Sequence, residues 1–321
     1  MTLKKNLLMG LVIVLALGAI APDVYSADKK FDLKLKLKKG QKFGLKMVTN
    51  QKMAQTMMGQ EQKMDQMTAI GMTFEVLDVD DNQNMSIKTT YQNIHIRIEG
   101  PMGVMEYDST KPPQPGAENP MSAMYKAMLG QSFVMKLAPK GEILEIKGMD
   151  EMIGKMIDKM APDETVKQQM KEMMKNFINE DKMKETGGTM VAAFPPAPVG
   201  IGDSWTKKIS VAIGFPMEID TTNTLTEHKE GIITIQTNAG IETGDDAKPT
   251  EMGPMKVTMK MKGTQKGTIQ IDAATGWLIR SKTDANFTGE FKTEPNEQMP
   301  QPMTIPIAIE TVTTVEPMAV K

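Results

Sequence analysis

Methionine has the most chemistry to offer in this 321-residue chain, where it occurs 33 times. A thioether sulfur is a soft donor suited to Cu(I). Met53, Met57, Met58, Met64 and Met67 crowd one short stretch, and Met149, Met152 and Met156 recur at i, i+3 and i+7, one side of a helix. Packing competes with ligation for the same residues. Beyond residue 26 there are ten Leu against 31 Met, so methionine stands where leucine usually does, and its flexible side chain fills irregular gaps. Met53, Met57, Met64, Met67, Met149, Met152 and Met156 therefore read as core or as the lining of an apolar ligand site, with Cu(I) ligation as the alternative. A methionine-rich surface also adapts to varied apolar partners.

Other reactive residues are scarce. Zero Cys excludes disulfides, thiolate metal sites and Cys nucleophiles. His95 lies in Ile94-His95-Ile96-Arg97-Ile98, where alternation turns it and Arg97 away from the isoleucines and toward solvent. His228 lies in the charged stretch Thr226-Glu227-His228-Lys229-Glu230-Gly231, expected to be a turn. Both read as exposed and bland. Neither Gly-x-Ser-x-Gly nor His-Glu-x-x-His occurs, nor does a glycine-rich nucleotide motif.

Carboxylates cluster at Asp78, Asp80 and Asp81 and at Asp245-Asp246, positions where turn geometry alone calls for Asp. A glycosidase cleft would add aromatic platforms, and the chain has only Trp205 and Trp277 as tryptophans. The residues thus assign no catalytic, cofactor-binding or metal-ligating group and no cofactor. A non-enzyme is expected, with an unrecognised hydrolase as the third reading. The net charge of −2 removes the general attraction to phosphate backbones, so no nucleic-acid partner is expected.

The elements that must position these residues are mostly strands. Strict alternation runs through Phe31–Lys38, through Leu45–Met57 and Ile70–Val76, through Ile94–Ile98, through Met255–Lys262 and through Met303–Ile309. The second and third of these runs form a long hairpin with a polar, Gln-rich tip. Pro306 removes a ladder donor, which predicts an edge strand or a break in the last run. Helices are expected at 118–129, after the Asn119-Pro120 start, at 148–160 and at 162–185.

A weak internal repeat suggests how these pieces are organised. Gly40-Gln41-Lys42-Phe43 and Gly202-Asp203-Ser204-Trp205 both read Gly-x-x-aromatic before a strand. Ala138–Leu144 and Ala273–Ile279 both read Ala-x-x-Gly-x-aliphatic-aliphatic. The expected fold is α+β and predominantly antiparallel β. It has two related curved sheets or an incomplete barrel, with a helical hairpin between the halves. The expected divisions are a first β unit at 27–147 with an inserted loop and helix at 100–130, a helical pair at 148–186, and a second β unit at 187–321.

The first 26 residues carry the marks of a secretory signal. Lys4 and Lys5 precede the apolar run Leu7–Ala21, and Val24-Tyr25-Ser26 suits cleavage before Ala27. The run is short for a membrane span, and no later stretch approaches that length. The expected product is exported, periplasmic or extracellular, without a transmembrane segment after cleavage.

This leader, Lys39–Phe43, Tyr107-Asp108-Ser109 before a Pro-rich loop, the Gly130–Gly148 hairpin and Gly202–Trp205 resemble a family of exported bacterial β-rich proteins with no assigned function. The resemblance spans roughly residues 31–315. It implies an envelope location and supplies no activity or site residue. The leading expectation is a non-enzymatic envelope protein that binds a hydrophobic small molecule or a partner protein, with a methionine-lined cavity beneath its helices.

Overall fold

The structure is a computed structural model that describes residues 29–57, 59–101, 103–112, 120–160, 163–177, 194–211, 217–244, 249–252, 255–295 and 301–320. The first half contributes β1 (Lys42–Met57), β2 (Gln60–Val79), β3 (Met85–Gly100), β4 (Gly103–Asp108), α1 (Pro120–Met128), β5 (Ser132–Leu137) and β6 (Ile143–Lys147). Then come α2 (Met149–Met160) and α3 (Glu164–Phe177). The second half contributes β7 (Ser204–Val211), β8 (Met217–Lys229), β9 (Ile232–Thr243), β10 (Thr250–Met252), β11 (Met255–Asp272), β12 (Leu278–Thr293) and β13 (Met303–Pro317).

All strands join one antiparallel sheet that does not close. Its order is β6-β5-β3-β2-β1-β13-β12-β11-β9-β8-β7, with β4 added on β3 and β10 on β11. The expected pair of sheets is therefore a single sheet. Its halves meet where the first strand pairs with the last, from Leu45↔Pro317 to Gln55↔Ile307. The strand containing Pro306 is central rather than an edge. Its ladder to β1 stops at Ile307, beside the proline that has no N–H to give, while Pro306 still lies opposite Glu290 of β12.

Alternation decides which face is buried. On β9, Ile233, Ile235, Thr237, Ala239 and Ile241 are buried and the residues between them are not. Cross-strand pairing carries the same face across the sheet, and we call it the inner face. The core gathers at one end of it, around Val76, Met85, Ile87, Leu137, Ile146, Leu225, Ile233, Ile235 and Ile271, all 2% exposed or less.

Helix α2 packs against β5 at this end and touches both α1 and α3. Asp150 and Glu151 occupy its first turn and Lys159 its last, as the helix dipole favours. Asp163 Oδ1 accepts from the Val166 N–H at 2.9 Å and caps α3. Lys167 reaches back to Asp158 at 2.7 Å. The helix expected over 162–185 runs from Glu164 to Phe177, and residues 178–185 lie outside the described residues.

The run Phe31–Lys38 alternates as expected, yet it joins no ladder. Leu33, Leu35 and Leu37 are buried, while Phe31 makes a lone bridge to Val199. The Leu35 N–H donates to the Pro139 carbonyl and the Lys36 N–H to the Thr275 carbonyl, both at 2.8 Å. Pro139 and Thr275 belong to the two Ala-x-x-Gly turns read from the sequence, so this strap crosses from one half of the chain to the other.

The two Gly-x-x-aromatic motifs also make matching bonds. The Gly40 N–H donates to the Val76 carbonyl, and the Val76 N–H returns to the Gln41 carbonyl. Gly202 donates to Leu225, whose N–H returns to Asp203. Both glycines have positive φ, 84° and 91°, a conformation that costs other residues.

Asp32 pins the strap to Lys140 at 2.8 Å and pairs within it with Lys34 at 2.6 Å. The hydrogen bond from Lys140, then that from Lys34, lowers its carboxyl from 3.8 to about 2. A depressed folded value means that the stabilisation is complete above 3.8 and disappears as the pH falls toward 2. Asp32→Asn should therefore lower stability at neutral pH by less than about 1 kcal/mol, since the pair is partly exposed. It should also flatten the loss of stability between pH 4 and 2. Urea titrations at several pH values measure both, and an unchanged acid limb would remove Asp32 from this role.

Candidate functional site

The inner face has three zones, read by following cross-strand partners outward from the core. Next to the core lies a hydroxyl and amide belt. Thr49 and Thr68 are opposite one another, as are Gln51 and Gln66, and Thr49 also faces Thr313. Thr283, Thr237 and Asn223 continue the belt through β12, β9 and β8. The Thr49 and Thr313 hydroxyls lie 3.1 Å apart, and Gln66 Nε2 donates to Thr68 Oγ1 at 3.1 Å. Among the described residues the buried Asn223 Nδ2 has no hydrogen-bond partner.

Beyond the belt, the face turns apolar again. Met64 and Met53 face each other across β2 and β1, and toward the β3 side Ile98 and Met105, in register with Gln66 of the belt, run into the same apolar surface. Ile309 and Phe287 carry the band over β13 and β12. Met261, Ile241 and Ile219 carry it on to β8. Ile307, Met261 and Ile241 are buried and the others half-buried. The helices described above pack at the core end, not on this band.

The seven methionines read from the sequence fall in four places. Met53 and Met64 are directly opposite on the inner face. Met67 pairs with Asn50 and so lies on the outer face, and Met57 pairs with Gln60 at the hairpin tip. Met149, Met152 and Met156 are core residues of α2, 5%, 6% and 8% exposed. A groove of about 410 Å³ lies on the outer face instead, lined by Glu218, Asp220, Glu242, Lys262, Asn286 and Thr288 among others. Charged and hydroxyl side chains line much of it and no methionine does, so it is not the methionine-lined cavity that the carrier reading expects beneath the helices.

His95 is not the bland residue its alternation suggests. It does face away from the isoleucines, on the outer face, but there it pairs directly with Asp108 and lies diagonal to Glu106. His95 Nε2 is 3.0 Å from Glu106 Oε1. Lys111 Nζ stands 3.3 Å from the same Glu106 oxygen and 3.4 Å from Asp108 Oδ2. The hydrogen bond from His95, then that from Lys111, lowers the Glu106 pKa. Burial pushes Asp108 up, and the Thr110 hydroxyl and N–H with Lys111 outweigh it, so its pKa falls. The same two carboxylates, Glu106 first, raise that of Lys111. The signal for this cluster was the turn at Gly100–Gly103, which fixes residue 95 opposite 108.

The remaining expected positions are structural. Asp80 Oδ1 accepts from the N–H groups of Asn82 and Asn84, and its carboxylate pairs with Lys136 at 2.8 Å. That lysine, then Asn84, holds its pKa well below the usual range. His228 closes β8 and rests against the Phe31 ring, with centroids 4.8 Å apart. Asp245 and Asp246 lie outside the described residues.

The fold thus defines a mostly antiparallel β protein, one open sheet with few helices. Over residues 82–278 the chain matches, and belongs to, a family of unknown function (DUF6263). No curated protein matches it. Solved structures with some likeness include one described as lipid–protein interactions in lipovitellin, at 8% identity and a TM-score of 0.46. That match covers 89% of this chain and 26% of that one, so the chain spans about a quarter of its length. An outer membrane channel from Pseudomonas putida F1 matches at 9% identity and a TM-score of 0.23, covering 93% of this chain and 100% of that one. Salmonella typhi OmpF in complex with daunomycin matches at 8% identity and a TM-score of 0.22, covering 88% and 99%. Among the described residues no helix is long and apolar enough to cross a membrane.

The burial of Met149 and Met156 predicts how they respond to substitution. Met149→Leu and Met156→Leu nearly conserve volume and should each cost less than about 1.5 kcal/mol. Met149→Ala and Met156→Ala should cost roughly 2–5 kcal/mol. Chemical denaturation checks this, and Ala variants as stable as the Leu variants would show that the two side chains are not packed.

Proposed function

We propose that the protein is exported to the envelope and acts there without catalysis, binding an apolar small molecule on the outer band of its inner face. One observation carries this. From β2 and β1 through β13 and β12 to β8 the band is separated from the core by a polar belt, so burying it there adds nothing to the core beneath the helices. A stripe of thioether, branched aliphatic and phenyl groups there suits a flexible apolar ligand. Such a ligand would lie across several strands, with the belt's hydroxyls and amides available to a polar end. The methionine-lined enclosure beneath the helices is no part of this reading, because the α2 methionines belong to the core.

Export is supported by the leader pattern of the first 26 residues. The two β units are also proposed here as related halves, on the strength of the matching Gly40 and Gly202 bonds. Cu(I) held by thioethers is the second reading. It draws on the directly opposed Met53 and Met64, while Met67 lies on the other face.

Titration with a fluorescent fatty-acid analogue tests the proposal. Saturable binding is expected, weakened at least tenfold by Met53→Glu or Ile309→Glu in the band and unaffected by Lys266→Glu on the outer face. Each buried methylene of the probe is worth about 0.8 kcal/mol, so shortening its chain should weaken binding stepwise. Absence of saturable binding would refute this function. Stoichiometric Cu(I) retention, abolished in the Met53→Leu, Met64→Leu double variant, would replace it with the second reading.

A further inference from the structure

Among the described residues one group combines an imidazole with two carboxylates on a rigid support, and it lies on the face opposite the apolar band. We propose that His95, Glu106 and Asp108 form a binding site for a divalent first-row transition cation. One ligand atom from each lies within 4.8 Å of the other two. His95 Nε2 and Glu106 Oε1, hydrogen-bonded at 3.0 Å, need to part by only a few tenths of an ångström to share one ion. For zinc, bonds of about 2.0–2.2 Å to nitrogen and oxygen place neighbouring donors roughly 3.2–3.6 Å apart.

The backbone sets this geometry in advance. His95 and Asp108 are cross-strand neighbours on a hairpin, and Glu106 is two residues from Asp108 on the same face. Asp108 Oδ1 is occupied by the Thr110 N–H at 2.9 Å and the Thr110 hydroxyl at 2.7 Å. Those bonds orient the group and leave Oδ2 for an ion, the arrangement that supports metal ligands elsewhere. The Ser109 hydroxyl accepts the Ile94 N–H at 2.9 Å and holds the end of the hairpin. Across the next strand the neighbour of His95 is Ala69, small enough to leave the imidazole room.

Lys111 competes with a cation for the same oxygens. Lys111 lies against both carboxylates and supplies one positive charge between them. Arg97, on the same face, is engaged with Glu99 at 2.9 Å. A dication entering between His95, Glu106 and Asp108 takes over the role of Lys111, whose long side chain swings out to solvent. The imidazole then carries its proton on the other ring nitrogen and offers Nε2 as a lone pair. One nitrogen with two carboxylate oxygens suits zinc or manganese better than copper(I), which prefers sulfur.

Equilibrium dialysis and calorimetry of the whole protein with Zn²⁺, and with Mg²⁺ as a comparison, test the site. One equivalent of zinc should be retained, with magnesium at least tenfold weaker. His95→Gln and Asp108→Asn should each weaken zinc at least tenfold, with the fold checked by thermal melting. Lys111→Met should tighten it severalfold, an effect that general surface binding would not produce. With Co²⁺ as the probe, the visible absorption should depend on His95. Zinc retained equally by His95→Gln, no stoichiometric zinc at all, or no gain in Lys111→Met would each overturn the proposal.

Discussion

The whole sheet depends on the packing of three leucines in a segment that belongs to no strand. Leu33, Leu35 and Leu37 enter the core end of the inner face between the two halves of the chain. Burying each is worth roughly 1.5–3 kcal/mol, and the bonds from Leu35 and Lys36 to turns in opposite halves fix where that burial happens. Gly276 shows how tight the fit is. Its φ is +69°, and a methyl group there would collide with the Lys34 carbonyl. The aromatic group of Trp277, Phe43 and Phe74 closes the same corner, with Trp277 stacked 4.5 Å from Phe43.

With its apolar end sealed this way, the sheet's remaining surface is free to differ by face. The outer face is charged and hydroxylated, with the Lys260, Lys262 and Lys266 row on β11 set against Glu290, Thr288 and Asp284 on β12. The inner face passes from core through belt to apolar band. Glycines within strands let large side chains lie flat on it: Phe287 covers Gly263, and Met261 covers Gly289. Gly263 and Gly289 thus enlarge the apolar band without adding Cβ atoms that would hold its side chains upright.

Much of the strand plan was legible because alternation records burial directly. The β1–β2 hairpin and the Ile94–Ile98 strand could be read residue by residue, and the helix starts to within about two residues. The paired Gly-x-x-aromatic and Ala-x-x-Gly motifs were legible through their glycines, whose positive φ marks turns. What alternation cannot encode is the partner of a strand. Nothing in Phe31–Lys38 distinguishes a ladder strand from a strap, since both bury every second side chain. A count of one sheet or two depends on whether β1 meets β13, and that pairing is between residues about 260 positions apart. The candidate sites were split the same way. The methionines were visible as a composition, yet their division among core, band and outer face needed the register. His95 was visible as a lone histidine, and only the fold of Gly100–Gly103 brought Glu106 and Asp108 to it.

That seam between the first and last strands has a consequence for how the molecule is made. Each half consists mainly of neighbouring antiparallel hairpins, which form from local contacts, but the ladder joining the halves waits for the final strand to be synthesised. Until then β1 and β12 each present an unpaired edge of 16 residues to whatever surrounds the chain. Long-range pairing of this kind closes slowly, and exposed edges recruit other strands. The lysines at 42, 46 and 52 of β1 and at 282 and 292 of β12 place charge along both waiting edges. They are gatekeepers against intermolecular pairing during the interval when the sheet is still two pieces.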